Sequence, residues 1–189
     1  MAGKKLILVS ASKRRKELLE LMGMDFTVDA KTKFRETIPE GMAPEKVPEY
    51  FAEQKSLHFH RELTNSDVLI SADTVVICDG KLMGKPHHRS DAKKMLEALN
   101  GKTHKVITAL CVRTSSKCTV VSDTAMVTFN DLDKDDIDYY VESYLPMDKA
   151  GAYGIQEWIG MIGISRIEGS FYTIMGLPTH LLYSILKKL

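Results

Sequence analysis

The sequence predicts an α/β protein with a mixed sheet. Three observations carry this reading. Short apolar runs and helical patterns alternate through the first hundred residues. Two long β-type runs then follow one another directly, joined by Ser-Ser-Lys. The chain has 189 residues, 44% of them hydrophobic and 27% charged, enough for one domain with a sizeable core. No apolar run approaches the roughly 20 residues needed to span a bilayer.

Leu6 to Val9 read as a short buried strand. Ser10 and Ser12 are good N-caps for a following helix, in which Leu18, Leu19 and Met22 recur at helical spacing and Gly23 suits the stop. "DFTVDA" reads as a second strand, and "KTKFRETIPEGMAP" as a loop. A helix is expected over about 45 to 63. "VLISADTVVICDG" is a long strand ending in an Asp-Gly turn, "KLMGKP" a loop, and "SDAKKMLEALNG" a capped helix ending at Gly101. "HKVITALCVRT" and "CTVVSDTAMVTF" pair as a hairpin. "DKDDIDYYVESYL" is a helix capped by Asp133. Gly151 to Gly176 carries six glycines and reads as turns and short strands, and "THLLYSILKKL" closes the chain as an amphipathic helix.

The formal net charge of +1 argues against a general nucleic-acid binder. Charge is nevertheless uneven: Lys4, Lys5, Lys13, Arg14, Arg15 and Lys16 fall in the first sixteen residues with no acid among them. The three cysteines form no C-x-x-C, and the apolar run after Lys4 and Lys5 is too short for a signal peptide. Both point to a cytoplasmic protein.

Four stretches bear on chemistry. In "SASKRR", two hydroxyls, free helix-start amides and two guanidiniums converge where the helix dipole disfavours cations. A bound anion would reverse that sign. A solvated basic face or a targeting patch is the alternative. In "SADTVV", Asp73 lies inside an apolar strand, where a carboxylate is costly unless paired, metal-bound or at work. Strand alternation sends Asp73 and Thr74 to opposite faces unless the chain kinks there. A structural Asp bonded to a neighbouring loop is the alternative. Lys85, in "GKLMGKP", reads on spacing as a turn lysine that can still meet phosphate as a point charge. Asp131, Asp133, Asp135 and Glu142 match part of a calcium-loop spacing, but Asp136 stands where Gly is needed, so a capped helix is the better reading. The histidines show no zinc-ligand spacing.

Taken in order, "SASKRRKELL", "ETIPEG", "AEQKS", "SADTVV", "GKP", "KAGAYGIQ" and "IEGSFYTIMGLP" resemble the Maf family of nucleoside triphosphate pyrophosphatases over nearly the whole chain, 1–189, as a single domain. The resemblance implies an elongated, two-lobed, inosine-triphosphatase-like (Maf/Ham-type) α/β fold with a central cleft. It implies hydrolysis of a nucleoside triphosphate to the monophosphate and pyrophosphate, a house-cleaning role in nucleotide metabolism, and a homodimer. By the same resemblance, Ser10, Ser12, Arg14 and Arg15 hold the triphosphate, and Lys55 and Lys85 neutralise its charge. Glu36 and Asp73 hold Mg2+ (Mn2+ or another divalent cation being the alternative), and Asp73 activates water. "YGIQ", with Gln156, together with Arg14 and Thr74, looks like the branch that prefers dTTP and UTP, with CTP or modified pyrimidine nucleotides as further substrates. The chain departs from the family's usual pattern at Lys13, Arg35 and Thr173. The alternative function is a nucleotide-sensing regulatory protein linked to cell division. No membrane or stable nucleic-acid partner is expected.

Overall fold

A computed structural model describes residues 3–189 of the chain. In chain order, β1 (Lys5–Leu8) leads into α1 (Lys13–Leu21) and β2 (Phe26–Val28). A 3-10 turn, Pro44–Lys46, opens α2 (Val47–Leu57), followed by β3 (Asp67–Cys78), β4 (Lys81–Met83) and α3 (Arg89–Leu99). Then come β5 (Thr103–Arg113), β6 (Cys118–Phe129), α4 (Lys134–Tyr144) and the 3-10 turn Ala150–Ala152. The chain ends with α5 (Trp158–Gly163), β7 (Ile164–Glu168), α6 (Phe171–Met175) and α7 (Thr179–Leu186).

The seven strands form one mixed sheet in the order β2-β1-β3-β5-β6-β7, with β4 on β3. β1 runs parallel to both β2 and β3, while β4 on β3 and β7 on β6 are antiparallel. The chain divides into two compact units. The first comprises Met1–Asp73, Thr108–Asp123 and Gly176–Leu189, the second Thr74–Ile107 and Thr124–Met175. In the first unit Ile7, Val9, Phe59 and Leu69 pack together, and Ala52, Ala109 and Cys111 form a second apolar group. The second unit has a larger core around Leu96, Val127, Phe129, Tyr140, Ile155 and Ile159.

Local chemistry sets most of these boundaries. Ser12 is extended, and its hydroxyl accepts from Arg15 N, closing the first turn of α1. Gly23 takes φ 67° just past the helix, where a side chain would be strained. Five expectations need correction. The helix expected over 45–63 stops at Leu57, because the chain turns at His58 and Phe59 bridges to Thr32. "KLM" is a strand, not a loop: Asp79 and Gly80 both take positive φ, the geometry of a two-residue hairpin turn, and this folds β4 back on β3. α3 is capped by His88, whose Nδ1 accepts from Asp91 N at 3.2 Å, and not by Ser90. Asp133 stands at the N-cap of α4, but its side chain makes no capping hydrogen bond. The glycine-rich region contains two short helices, α5 and α6, besides β7.

Glu142, the last residue of the calcium-like spacing, faces Arg89 and Lys93 from within α4. Among the described residues, no helix is long and apolar enough to cross a membrane.

Candidate active site

The site in the first unit begins at the start of α1. Ser10 Oγ accepts from Ser12 N at 3.2 Å and from Arg15 Nη1 at 3.2 Å. Both acceptor positions of the Ser10 hydroxyl are thus used within the chain. Arg15 Nε donates to Gly176 O at 2.8 Å, so one guanidinium ties α1 to the segment before α7. The first turn carries no acid, and Lys13, Arg14 and Arg15 occupy it. Burial lowers the pKa of Arg15. Asp73 and Glu36 oppose that shift, while neighbouring Arg14 adds to it, so these four charges lie within electrostatic reach.

β3 supplies Asp73, α2 supplies Lys55, and the loop between β2 and α2 supplies Glu36. Lys55 Nζ donates to Asp73 Oδ1 at 2.6 Å and lies 2.7 Å from Glu36 Oε1. The Lys55 and Asp73 side chains are each only 14% exposed, so this pair is far less screened than a surface salt bridge; Glu36, at 54%, reaches in from solvent. Burial pushes the Asp73 pKa up, Lys55 and Arg15 pull it down, and Glu36 adds to the rise. The net direction is upward, which suits a carboxylate asked to take a proton. Asp73 and Thr74 are both half-buried within an otherwise buried stretch of β3, so simple in-out alternation fails there.

Two residues overlooked by sequence reasoning hold this arrangement. Ser71 Oγ donates to Ala52 O at 2.6 Å, and Arg113 Nη1 donates to Ser56 O at 2.5 Å. Both bonds lock the α2 backbone against strands, which fixes where Lys55 meets Asp73. The available signal was a serine inside an apolar strand, since buried hydroxyls require partners.

Thr74, Lys85 and Gln156 belong to the second unit. Lys85 is exposed in the loop after β4. That loop is tied to the 3-10 turn before Gln156, because Gly151 N donates to Gly84 O at 3.1 Å. Gln156 is exposed at the end of a fully buried run, Gly151 to Ile155. Its side chain makes no hydrogen bond among the described residues. Thr173, one of the departures from the family pattern, is buried on α6.

Fold and site together define a mixed-sheet α/β protein with an anion-type helix start in electrostatic contact with a lysine-bridged carboxylate pair. The Maf-like protein family matches residues 5–189, and the chain belongs to that family. It is 49% identical over 185 residues to a dTTP/UTP pyrophosphatase of Porphyromonas gingivalis, covering 97% of this chain and 93% of that protein. It is 46% identical to the protein of the same description from Phocaeicola vulgatus, over 98% of this chain and 96% of that one. A HAM1 protein from Coxiella burnetii has the same fold, with a TM-score of 0.50 at 12% identity over 98% of this chain and 100% of its own. That likeness agrees with the expected Ham-type fold.

Proposed function

We propose that this chain hydrolyses nucleoside triphosphates, with dTTP and UTP preferred, to the monophosphate and pyrophosphate, as a cytoplasmic house-cleaning enzyme acting as a homodimer. The observation that carries the proposal is the half-buried Asp73–Lys55 pair with Glu36, within electrostatic reach of Arg15. The description of the relatives as dTTP/UTP pyrophosphatases supports the substrate choice.

Ser10, Ser12, Arg14, Arg15 and the positive end of the α1 dipole grip the phosphates. Lys85 contributes a point charge. Asp73 accepts the proton of the attacking water; its burial raises its basicity, and Lys55 opposes that rise. Lys55 also sets the rotamer of the carboxylate, so the base is aimed before substrate arrives. Gln156 presents an amide with both a donor and an acceptor, which matches the neighbouring N3–H and carbonyl of uracil or thymine. A pure nucleotide sensor has no use for a half-buried carboxylate of raised basicity, so the enzyme reading is favoured over the regulatory one.

Asp73 and Glu36 fit a hard divalent cation: both offer oxygen donors, and both already converge on one positive charge, the Lys55 ammonium. These two residues would hold Mg2+, with Mn2+ as the alternative. When bound, the ion neutralises phosphate charge and lowers the pKa of its water.

The test is a panel of dTTP, UTP, CTP, GTP and ATP, with Mg2+ or with chelator, resolved by chromatography. UMP and pyrophosphate from UTP, only with the cation, are expected. UDP and orthophosphate would overturn the proposal, and sedimentation of the same sample reads the homodimer.

A further inference from the structure

Among the described residues the Gln156 side chain has no hydrogen-bond partner, yet it is carried by a tightly held piece of backbone. Gly154 N donates to Tyr140 Oη at 3.0 Å. The Tyr140 hydroxyl in turn donates to Glu157 Oε2. The other oxygen of that carboxylate, Oε1, lies 3.0 Å from Lys149 Nζ, which also bonds Asp148 at 2.8 Å. Tyr140 is fully buried and Lys149 is nearly so. Burial, followed by the Glu157 bond, raises the Tyr140 pKa, so its hydroxyl stays protonated and remains a donor. On the other side, Tyr153 Oη meets His104 Nε2 at 2.7 Å, and its ring stands edge-on to Phe129 with centroids 5.1 Å apart.

The Glu157 and Lys149 side chains pack against the backbone of this turn. A Cβ at Gly154 would lie 2.7 Å from Glu157 Cδ and 3.0 Å from Lys149 Cε, so the carboxylate sits directly against the backbone. Glu157 N also donates to Gly154 O at 3.0 Å, closing the turn over Ile155 and Gln156. Tyr140 from α4, Lys149 from the start of the 3-10 turn and Glu157 from the start of α5 thus satisfy one another and the Gly154 amide. Gln156 lies between Gly154 and Glu157 in sequence, inside the turn they hold, and its side chain is exposed.

We infer that Tyr140, Glu157 and Lys149 are positioning residues for base selection, holding the 154–157 turn so that the Gln156 amide presents a fixed donor–acceptor pair to a pyrimidine. The inference rests on the proposed reading of Gln156 as the base-reading group. The three residues act through the turn and touch no substrate. Their loss therefore blurs the choice among bases more than it slows hydrolysis. A network serving only the fold would lower the rates for all nucleotides together.

The experiment measures kcat/KM for UTP, dTTP, CTP and GTP in the full chain, comparing wild type with Tyr140→Phe, Glu157→Gln and Gln156→Glu. Tyr140→Phe removes one oxygen and leaves Gly154 N unpaired. Glu157→Gln keeps an acceptor for Tyr140 but breaks the charge pairing with Lys149, and it tests the same network if Tyr140→Phe fails to fold. The expected result is a UTP/CTP ratio that falls about 3- to 10-fold in both network variants, as expected for one misplaced hydrogen-bonding group, and further in Gln156→Glu. If Gln156→Glu shifts the ratio while both network variants leave it at the wild-type value, the positioning inference fails and the proposed function stands. If Gln156→Glu leaves the ratio unchanged, Gln156 does not read the base, and the inference falls with it. Wild type that hydrolyses none of the four overturns the proposed function itself.

Discussion

The Lys55 ammonium lies 2.6 Å from Asp73 Oδ1, with both side chains largely removed from water. An unpaired carboxylate at that depth in β3 would be driven to protonate. Lys55 and Arg15 oppose that rise. If the pair serves as the proposed base, its members are expected to fail differently.

Asp73→Asn should abolish turnover and leave nucleotide binding largely in place. The amide neither accepts a proton nor holds a cation as a carboxylate does, and loss of the base alone is worth about 100- to 10,000-fold in rate. Single-turnover rates beside equilibrium binding of UTP check this. Near-normal turnover would remove Asp73 from the chemistry.

The acid limb of the kcat/KM profile should follow Asp73. Its pKa is raised by burial, so the ionised base is lost as pH falls, at a pH above the ordinary aspartate range. Lys55→Met removes the charge that opposes the rise. The acid limb should then move to higher pH, and the maximal rate should drop. A limb that stays where it was would mean that the titrating group lies elsewhere.

Arg15 should be felt in a melting experiment as well as in catalysis. Cations in the first turn of a helix are unfavourable to it, so on that ground alone substitution to alanine should be nearly neutral for stability. Arg15, however, donates to Gly176 O and to Ser10 Oγ. Arg15→Ala should cost about 1–3 kcal/mol, the loss of charge-assisted bonds, as well as substrate use. Calorimetry beside UTP kinetics reads both. An Arg15→Ala protein as stable as wild type would contradict this role.

Stability should fall with acidification because of His104. Burial lowers its pKa from 6.5 to about 4, so the fold requires the neutral ring. Between those values the unfolded chain binds more protons than the native one, and stability therefore rises with pH. The contribution is fully present above about pH 6.5 and is lost as pH falls toward 4, by about 3 kcal/mol in all. His104→Phe removes the titration. The difference in melting temperature between wild type and variant should shrink steadily from pH 7 to pH 4.5, and a constant difference would refute the assignment.

What the sequence by itself determined is local. The Ser12 cap, the Gly23 stop, the Ser-Ser-Lys hairpin and the amphipathic α7 all rest on interactions within a few residues, and those leave readable periods and punctuation. The site residues carried by the family resemblance were legible only as an ordered set of motifs. Nothing in the periodicity of α2 marks Lys55, and nothing in a polar loop marks Glu36. Tertiary structure decided the rest. Lys55 meets Asp73 across 18 residues and Arg15 meets Gly176 across 161, pairings that no window contains. The end of α2 at Leu57 was set by a bridge from Phe59 to Thr32, which overrode the apolar spacing that ran on to Leu63. The same holds for the turn that carries Gln156, which is held by Tyr140, Lys149 and Glu157 satisfying one another across residues 140 to 157. Buried polar groups must find partners, and which partners are in reach is known only when the chain has folded.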